Sequence, residues 1–98
     1  MVAYVIAEAR EIIDEDAYQR YRPLGGAAVQ AHDGAYLARG GAALALEGDW
    51  TPQKLTILQF PSLELARRWY DSPQYTNARS IREGAARMRF VAVDGSGS

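Results

Sequence analysis

The sequence has 98 residues, a formal net charge of −1 and no cysteine. That is one domain's worth of chain, and its near-neutral balance speaks against a nucleic-acid binder or a polybasic membrane-surface protein. Without cysteine there is no disulfide scaffold, thiol nucleophile or thiolate metal site, and a cytoplasmic location is expected.

Val2 to Ala9 is almost continuously apolar, with Val2, Val5 and Ile6 β-branched, and reads as a strand buried on both faces. The run lacks a basic lead and is too short for a signal peptide; no apolar stretch approaches the ~20 residues of a membrane span. Asp14 is placed to cap a helix, with Glu15 and Asp16 in the first turn, where the helix dipole favours acids. Ile13 and Tyr18 occupy hydrophobic-staple positions, and Tyr18, Tyr21, Ala28 and Ala31 form a partial stripe. Pro23 and Gly25-Gly26 predict a kink or two short helices. His32-Asp33-Gly34 ends the segment, with Gly34 as the expected left-handed turn residue.

Tyr36 to Trp50 reads as one long strand, around which the rest of the chain is arranged. A bulge, bend or close backbone approach is expected at Gly40-Gly41, and the strand closes in a turn carrying Glu47, Asp49 and Trp50. Lys54 to Phe60 is the next strand. Pro61-Ser62 stops it and opens a helix with Leu63, Ala66, Trp69 and Tyr70 on one side. Ser72-Pro73 is a fresh helix start, serine as cap and proline at the first helical position, and this helix carries Tyr75, Ala78, Ile81, Arg82 and Ala85. Arg87 to Val93 is the last strand. Residues 1–94 are read as a single domain and Gly95 to Ser98 as a flexible Gly/Ser tail.

The order β-α-β-β-α-β gives an α+β fold of ferredoxin-like arrangement with a four-stranded antiparallel sheet. On the crossover argument its first and third strands lie side by side and parallel at the centre, with all helices on one face. Those strands are apolar on both sides, so the uncovered face would expose one large apolar patch, which soluble monomers seldom carry. A second copy is expected to cover it, sheet against sheet, as a homodimer.

An ordered series of short motifs adds to this: Ala38-Arg39-Gly40-Gly41, Leu46-Glu47-Gly48-Asp49-Trp50, Phe60-Pro61-Ser62, Ala66 with Trp69-Tyr70, Ser72-Pro73 with Tyr75, and Arg82. The series resembles the family known as domain of unknown function 1330, from about Val2 to Gly95. The resemblance implies a dimeric α/β-barrel, a ferredoxin-like protomer pairing through its sheet, and no established activity. The wider superfamily of that fold includes cofactor-free monooxygenases, haem proteins and isomerases, an analogy of fold alone. His32-Asp33-Gly34 departs from the usual pattern of the family, in which an aromatic and two glycines are more typical.

No motif specifies a reaction. Arg39, beside two glycines, is a candidate clamp for an acidic or carbonyl ligand; the plainer reading pairs it with Glu47 or with the other protomer. Tyr36, Trp50, Trp69 and Tyr75 are candidate pocket walls; the plainer reading is core and dimer interface, with Trp69, at helical spacing with Ala66, read as core and Trp50, in a loop, as interface or pocket rim. Arg82 joins them as a candidate ligand contact, against a plainer salt bridge to a carboxylate. Glu47 and His32 are weak candidates for moving a proton. No metal or cofactor is expected, because one histidine and scattered carboxylates lack ligand spacing. The expected partners are a second copy of the chain and a small organic molecule, with neither nucleic acid nor membrane. The competing reading is a non-catalytic dimeric module. A cavity of roughly 300 Å3 or more holding Arg39 and a second polar tip separates the two.

Overall fold

A computed structural model describes residues 1–96. Its elements in chain order are β1 (Ala3–Ile12), α1 (Glu15–Ala31), β2 (Ala35–Arg39), β3 (Lys54–Phe60), α2 (Leu63–Asp71), α3 (Pro73–Arg82) and β4 (Ala86–Asp94). The four strands form one sheet in the order β2-β3-β1-β4, and every neighbouring pair is antiparallel. This is the ferredoxin-like arrangement, with its helical segment split at Ser72-Pro73. The expectation of parallel central strands is corrected: β1 and β3 are neighbours but run in opposite directions. The α1 crossover sets β2 parallel to β1 one place away, and the return into β3 reverses the chain between them.

From Ala3 to Ala9 the odd-numbered residues of β1 face the helices and the even-numbered ones the open side; a register shift between Ala9 and Glu11 then breaks the alternation. Val5, Leu58 and Phe60 from the sheet meet Ala28, Val29, Ala66, Trp69, Tyr75 and Ala78 from the helices in one core. Trp69, Tyr75, Phe60 and Val29 are its largest fully buried side chains. Each such burial is worth about 1.5–3 kcal/mol.

The N-terminus of α1 is capped as its sequence implies: the Asp14 carboxylate accepts from the Ala17 amide at 3.1 Å. The helix nevertheless runs unbroken through Pro23 for 17 residues, so the expected division does not occur. Proline removes one backbone donor, but Ala17, Gly25, Ala28 and Val29 bury along the length of the helix and hold it together. Gly25 serves packing: a Cβ there would lie 3.2 Å from the Tyr21 ring. After the helix the left-handed residue is Asp33 (φ 62°), not Gly34. Gly34 is required for room, since a Cβ would sit 2.7 Å from both Phe60 and Val29.

The single long strand is the second correction. β2 ends at Arg39. Gly40 turns with φ 69° and its amide donates to the Leu55 carbonyl at 3.0 Å. Residues 41–53 then carry no strand pairing. β2 is the sheet edge, so the apolar residues of this arm find no strand partner among the described residues. Leu46 is 89% exposed.

Ser72 joins the two short helices: its hydroxyl donates to the Trp69 carbonyl at 2.8 Å and accepts from the Tyr75 amide at 3.1 Å. Gly95 donates to the Val2 carbonyl at 2.8 Å. Of the expected flexible tail, residues 97–98 lie outside the described residues.

Candidate functional site

The helix-side face of β1 is built from Ala3, Val5, Ala7 and Ala9. Small side chains on a central strand leave space above them. Ala7 is flanked by Thr56 and Phe90, and Ala9 by Lys54 and Met88. The space forms a cavity of about 170 Å3 between sheet and helices. One stripe of α1 roofs it, with Tyr18, Tyr21, Arg22, Gly25 and Val29 at helical spacing. Trp69 and Tyr75 close its inner end, and Tyr36 and Arg39 stand at its outer edge.

Every charged side chain lining this cavity is positive: Arg22, Arg39 and Lys54. All three are exposed, so they mark the mouth; Trp69 and Tyr75 are each 1% exposed and mark the depth. Arg39 lies 4.3 Å over the Tyr36 ring and makes one long contact, 3.4 Å, to the Arg22 carbonyl. Among the described residues the ion pairs are Arg67–Asp71, Arg68–Glu64 and Arg87–Glu11, so Arg39 is not paired with Glu47.

The deep end is phenolic. The hydroxyls of Tyr21 and Tyr75 lie 2.5 Å apart. Burial, and then the neighbouring Tyr21 oxygen, raise the Tyr75 phenol above its ordinary range. Burial likewise raises Tyr18 and Tyr36. These phenols therefore stay protonated and act as donors near neutral pH. Arg82 is outside the cavity wall, stacked 5.0 Å over Tyr21 and 5.3 Å over Phe90. Burial alone would lower its pKa, but the Tyr21 and Tyr75 oxygens more than offset that and hold it charged. Among the described residues two buried donors here lack acceptors: the Trp69 indole Nε1–H and the Arg82 Nε–H.

The structure thus brings Tyr36, Arg39, Trp69 and Tyr75 together and sets Arg82 directly behind them. The other candidates lie elsewhere. Trp50 is on the open face of the sheet, its indole donating to Glu8 at 3.3 Å. Glu47 belongs to the exposed arm. His32 caps the end of α1, with Nδ1 2.8 Å from the Ala28 carbonyl. Tyr18, Tyr21, Arg22 and Lys54 were not singled out as site residues by sequence reasoning. The helical spacing of Tyr18, Tyr21, Arg22 and Gly25 was the available signal, but it reads equally as a core stripe. Among the described residues no group of three or more His, Asp or Glu side chains is placed to hold a metal ion. No described helix is long and apolar enough to cross a membrane.

The family described as domain of unknown function (DUF1330) matches residues 2–96, and the chain belongs to it. No curated protein matches the sequence. Among solved structures the chain is similar to a protein of unknown function, RPA0582 from Rhodopseudomonas palustris, with TM-score 0.76, 19% identity, and 99% of this chain and 84% of that one covered. It is similar to a dimeric ferredoxin-like protein of unknown function from Jannaschia sp. CCS1 (TM-score 0.64, 12% identity, 97% and 100% covered). It is also similar to SnoaB, a cofactor-independent oxygenase from Streptomyces nogalater (TM-score 0.61, 11% identity, 99% and 94% covered). At these identities the likeness is one of fold.

Proposed function

We propose that this member of the DUF1330 family is a homodimer whose protomers each bind a small organic acid or carbonyl compound in the cavity between sheet and helices. The observation that carries the reading is the charge of the cavity lining: Arg22, Arg39 and Lys54 at the mouth, with no carboxylate among the lining residues. A guanidinium that makes no ion pair among the described residues, set at the mouth of an aromatic pocket, is suited to a carboxylate. The volume of about 170 Å3 falls short of the ~300 Å3 typical of drug-sized ligands, so the ligand is a small one of about one ring. The same shortfall favours the competing reading, a dimeric module that binds nothing.

The dimer rests on the open face of the sheet. Ile6, Leu55, Ile57, Val91 and Val93 share that face in register, and Val91 is 59% exposed. Leu44, Leu46 and Trp50 on the arm are exposed as well, and contiguous apolar surface of this kind marks an interface more often than a free face. A two-fold copy buries the face against itself.

Titration calorimetry with benzoate, alongside sedimentation at micromolar protein, tests both parts. Saturable binding of one benzoate per protomer by a dimer is expected. Heats no larger than dilution would leave the non-binding module as the reading, and a monomer would remove the dimer.

A further inference from the structure

Donors and acceptors in the depth of the cavity do not balance. A hydrogen bond between two phenols uses one hydroxyl hydrogen, so the Tyr21–Tyr75 pair keeps a second for some other acceptor. The Trp69 indole N–H, in a side chain 1% exposed that lines the same cavity, has no acceptor. A buried donor left unsatisfied is costly, and native structures rarely tolerate one without a reason. Behind the pair stands the Arg82 guanidinium, 5.0 Å over the Tyr21 ring, its own Nε–H unpartnered. The inner wall therefore holds one phenolic and one indole hydrogen without an acceptor, next to a guanidinium charge.

We propose that the cavity is an oxyanion site: a phenol or enol bound there is held in its ionised form, its oxygen received by the Tyr21–Tyr75 hydroxyls and the Trp69 indole N–H. The proposal rests on the reading that the cavity takes a small organic acid, and it adds which end of the ligand goes where. A carboxylate, compact and strongly hydrated, is met at the mouth by the exposed Arg22 and Arg39. A delocalised phenolate or enolate oxygen suits the depth, which is lined by the mutually packed rings of Trp69, Tyr75 and Phe90. A neutral ligand O–H accepts from one donor and gives its hydrogen back to a tyrosine oxygen; the anion accepts from several donors at once and meets the Arg82 charge behind the pair. Preorganised donors in a water-poor site gain strength for the same reason. The chemistry is ionisation alone: the ligand O–H bond breaks, its proton leaves to solvent, and no electrons are exchanged. The substrate class is a planar acid of about one ring, carrying a carboxylate at one end and a phenol or enol oxygen at the other.

The probe is 4-nitrophenol, whose phenolate absorbs visible light, titrated with pH in the presence of saturating protein. The bound probe is expected to favour the phenolate at least tenfold more than the free probe does. Tyr21→Phe, Tyr75→Phe and Trp69→Phe, each confirmed folded by circular dichroism, are each expected to reduce that preference severalfold. Arg39→Met is expected to weaken benzoate binding at least tenfold with a smaller effect on the bound probe. A bound probe that ionises as it does free in solution, or a preference untouched by all three inner-wall variants, overturns the oxyanion site. If that happens while benzoate still binds, the organic-acid reading survives without it. If neither benzoate nor nitrophenol binds, both fall.

Discussion

The hydroxyls of Tyr21 and Tyr75 meet at 2.5 Å, tying the first helix to the third across the cavity. Removing either hydroxyl strands the other. We expect Tyr21→Phe and Tyr75→Phe each to cost about 1–2 kcal/mol in urea denaturation. The double variant is expected to cost less than the sum, because neither oxygen is then left without its partner. Strict additivity would mean that the two oxygens do not interact in solution.

Alkaline pH should loosen the fold through the same residues. Burial, and then the Tyr21 charge, raise Tyr75 above its ordinary value of 10.0, and burial raises Tyr18 and Tyr36 in the same direction. The folded chain holds these protons more tightly than the unfolded one. Their contribution is therefore complete below pH ~10 and is lost as pH rises through the elevated folded values. Urea midpoints should be level with respect to these groups between about pH 7 and 9 and fall above pH ~10, less steeply in Tyr75→Phe. An equal alkaline fall in the wild type and that variant would show that Tyr75 is not responsible.

Two glycines near the cavity should respond in opposite senses. Gly34→Ala would drive a methyl to within 2.7 Å of Phe60 and Val29, and should destabilise by about 1–3 kcal/mol. At Gly26, within α1, an added Cβ would meet the Tyr36 hydroxyl at 3.6 Å, an ordinary contact. Gly26→Ala should therefore stabilise by about 0.5–1 kcal/mol through helix propensity. Thermal melts of the two variants check the pair, and matching shifts of one sign would contradict the packing described.

Val91→Asp separates the dimer from the isolated protomer. On an exposed strand position of a monomer such a change is worth within about ±0.5 kcal/mol. Against a second sheet it places an unpaired charge in an apolar interface. Sedimentation should show a wild-type dimer and a Val91→Asp monomer at the same concentration. An unchanged dimer would place the interface elsewhere.

The order of elements was legible because its signals are local. Asp14, Ser62 and Ser72 cap their helices as their positions imply. Four of the candidate pocket residues, Tyr36, Arg39, Trp69 and Tyr75, do line one cavity. What escaped depends on partners that no local pattern names. Ala42 to Leu46 is an apolar run that reads as a strand, but a strand requires a neighbour, and at the sheet edge the described residues supply none. Pro23 and Gly25-Gly26 look like a break until tertiary packing is counted, since Gly25 makes room for the Tyr21 ring. Tyr21 itself read as an ordinary core position, because the hydroxyl it meets lies 54 residues away.

The two tryptophans allow the most direct test of an anion-holding cavity. Trp69 lines it with an unpartnered indole N–H, while Trp50 sits across the sheet, bonded to Glu8. In a nitrogen–proton correlation spectrum each gives one indole cross-peak, and benzoate or 4-nitrophenolate can be added stepwise. The Trp69 peak should move saturably while the Trp50 peak stays in place. A stationary Trp69 peak at ligand concentrations that saturate any binding would contradict the account.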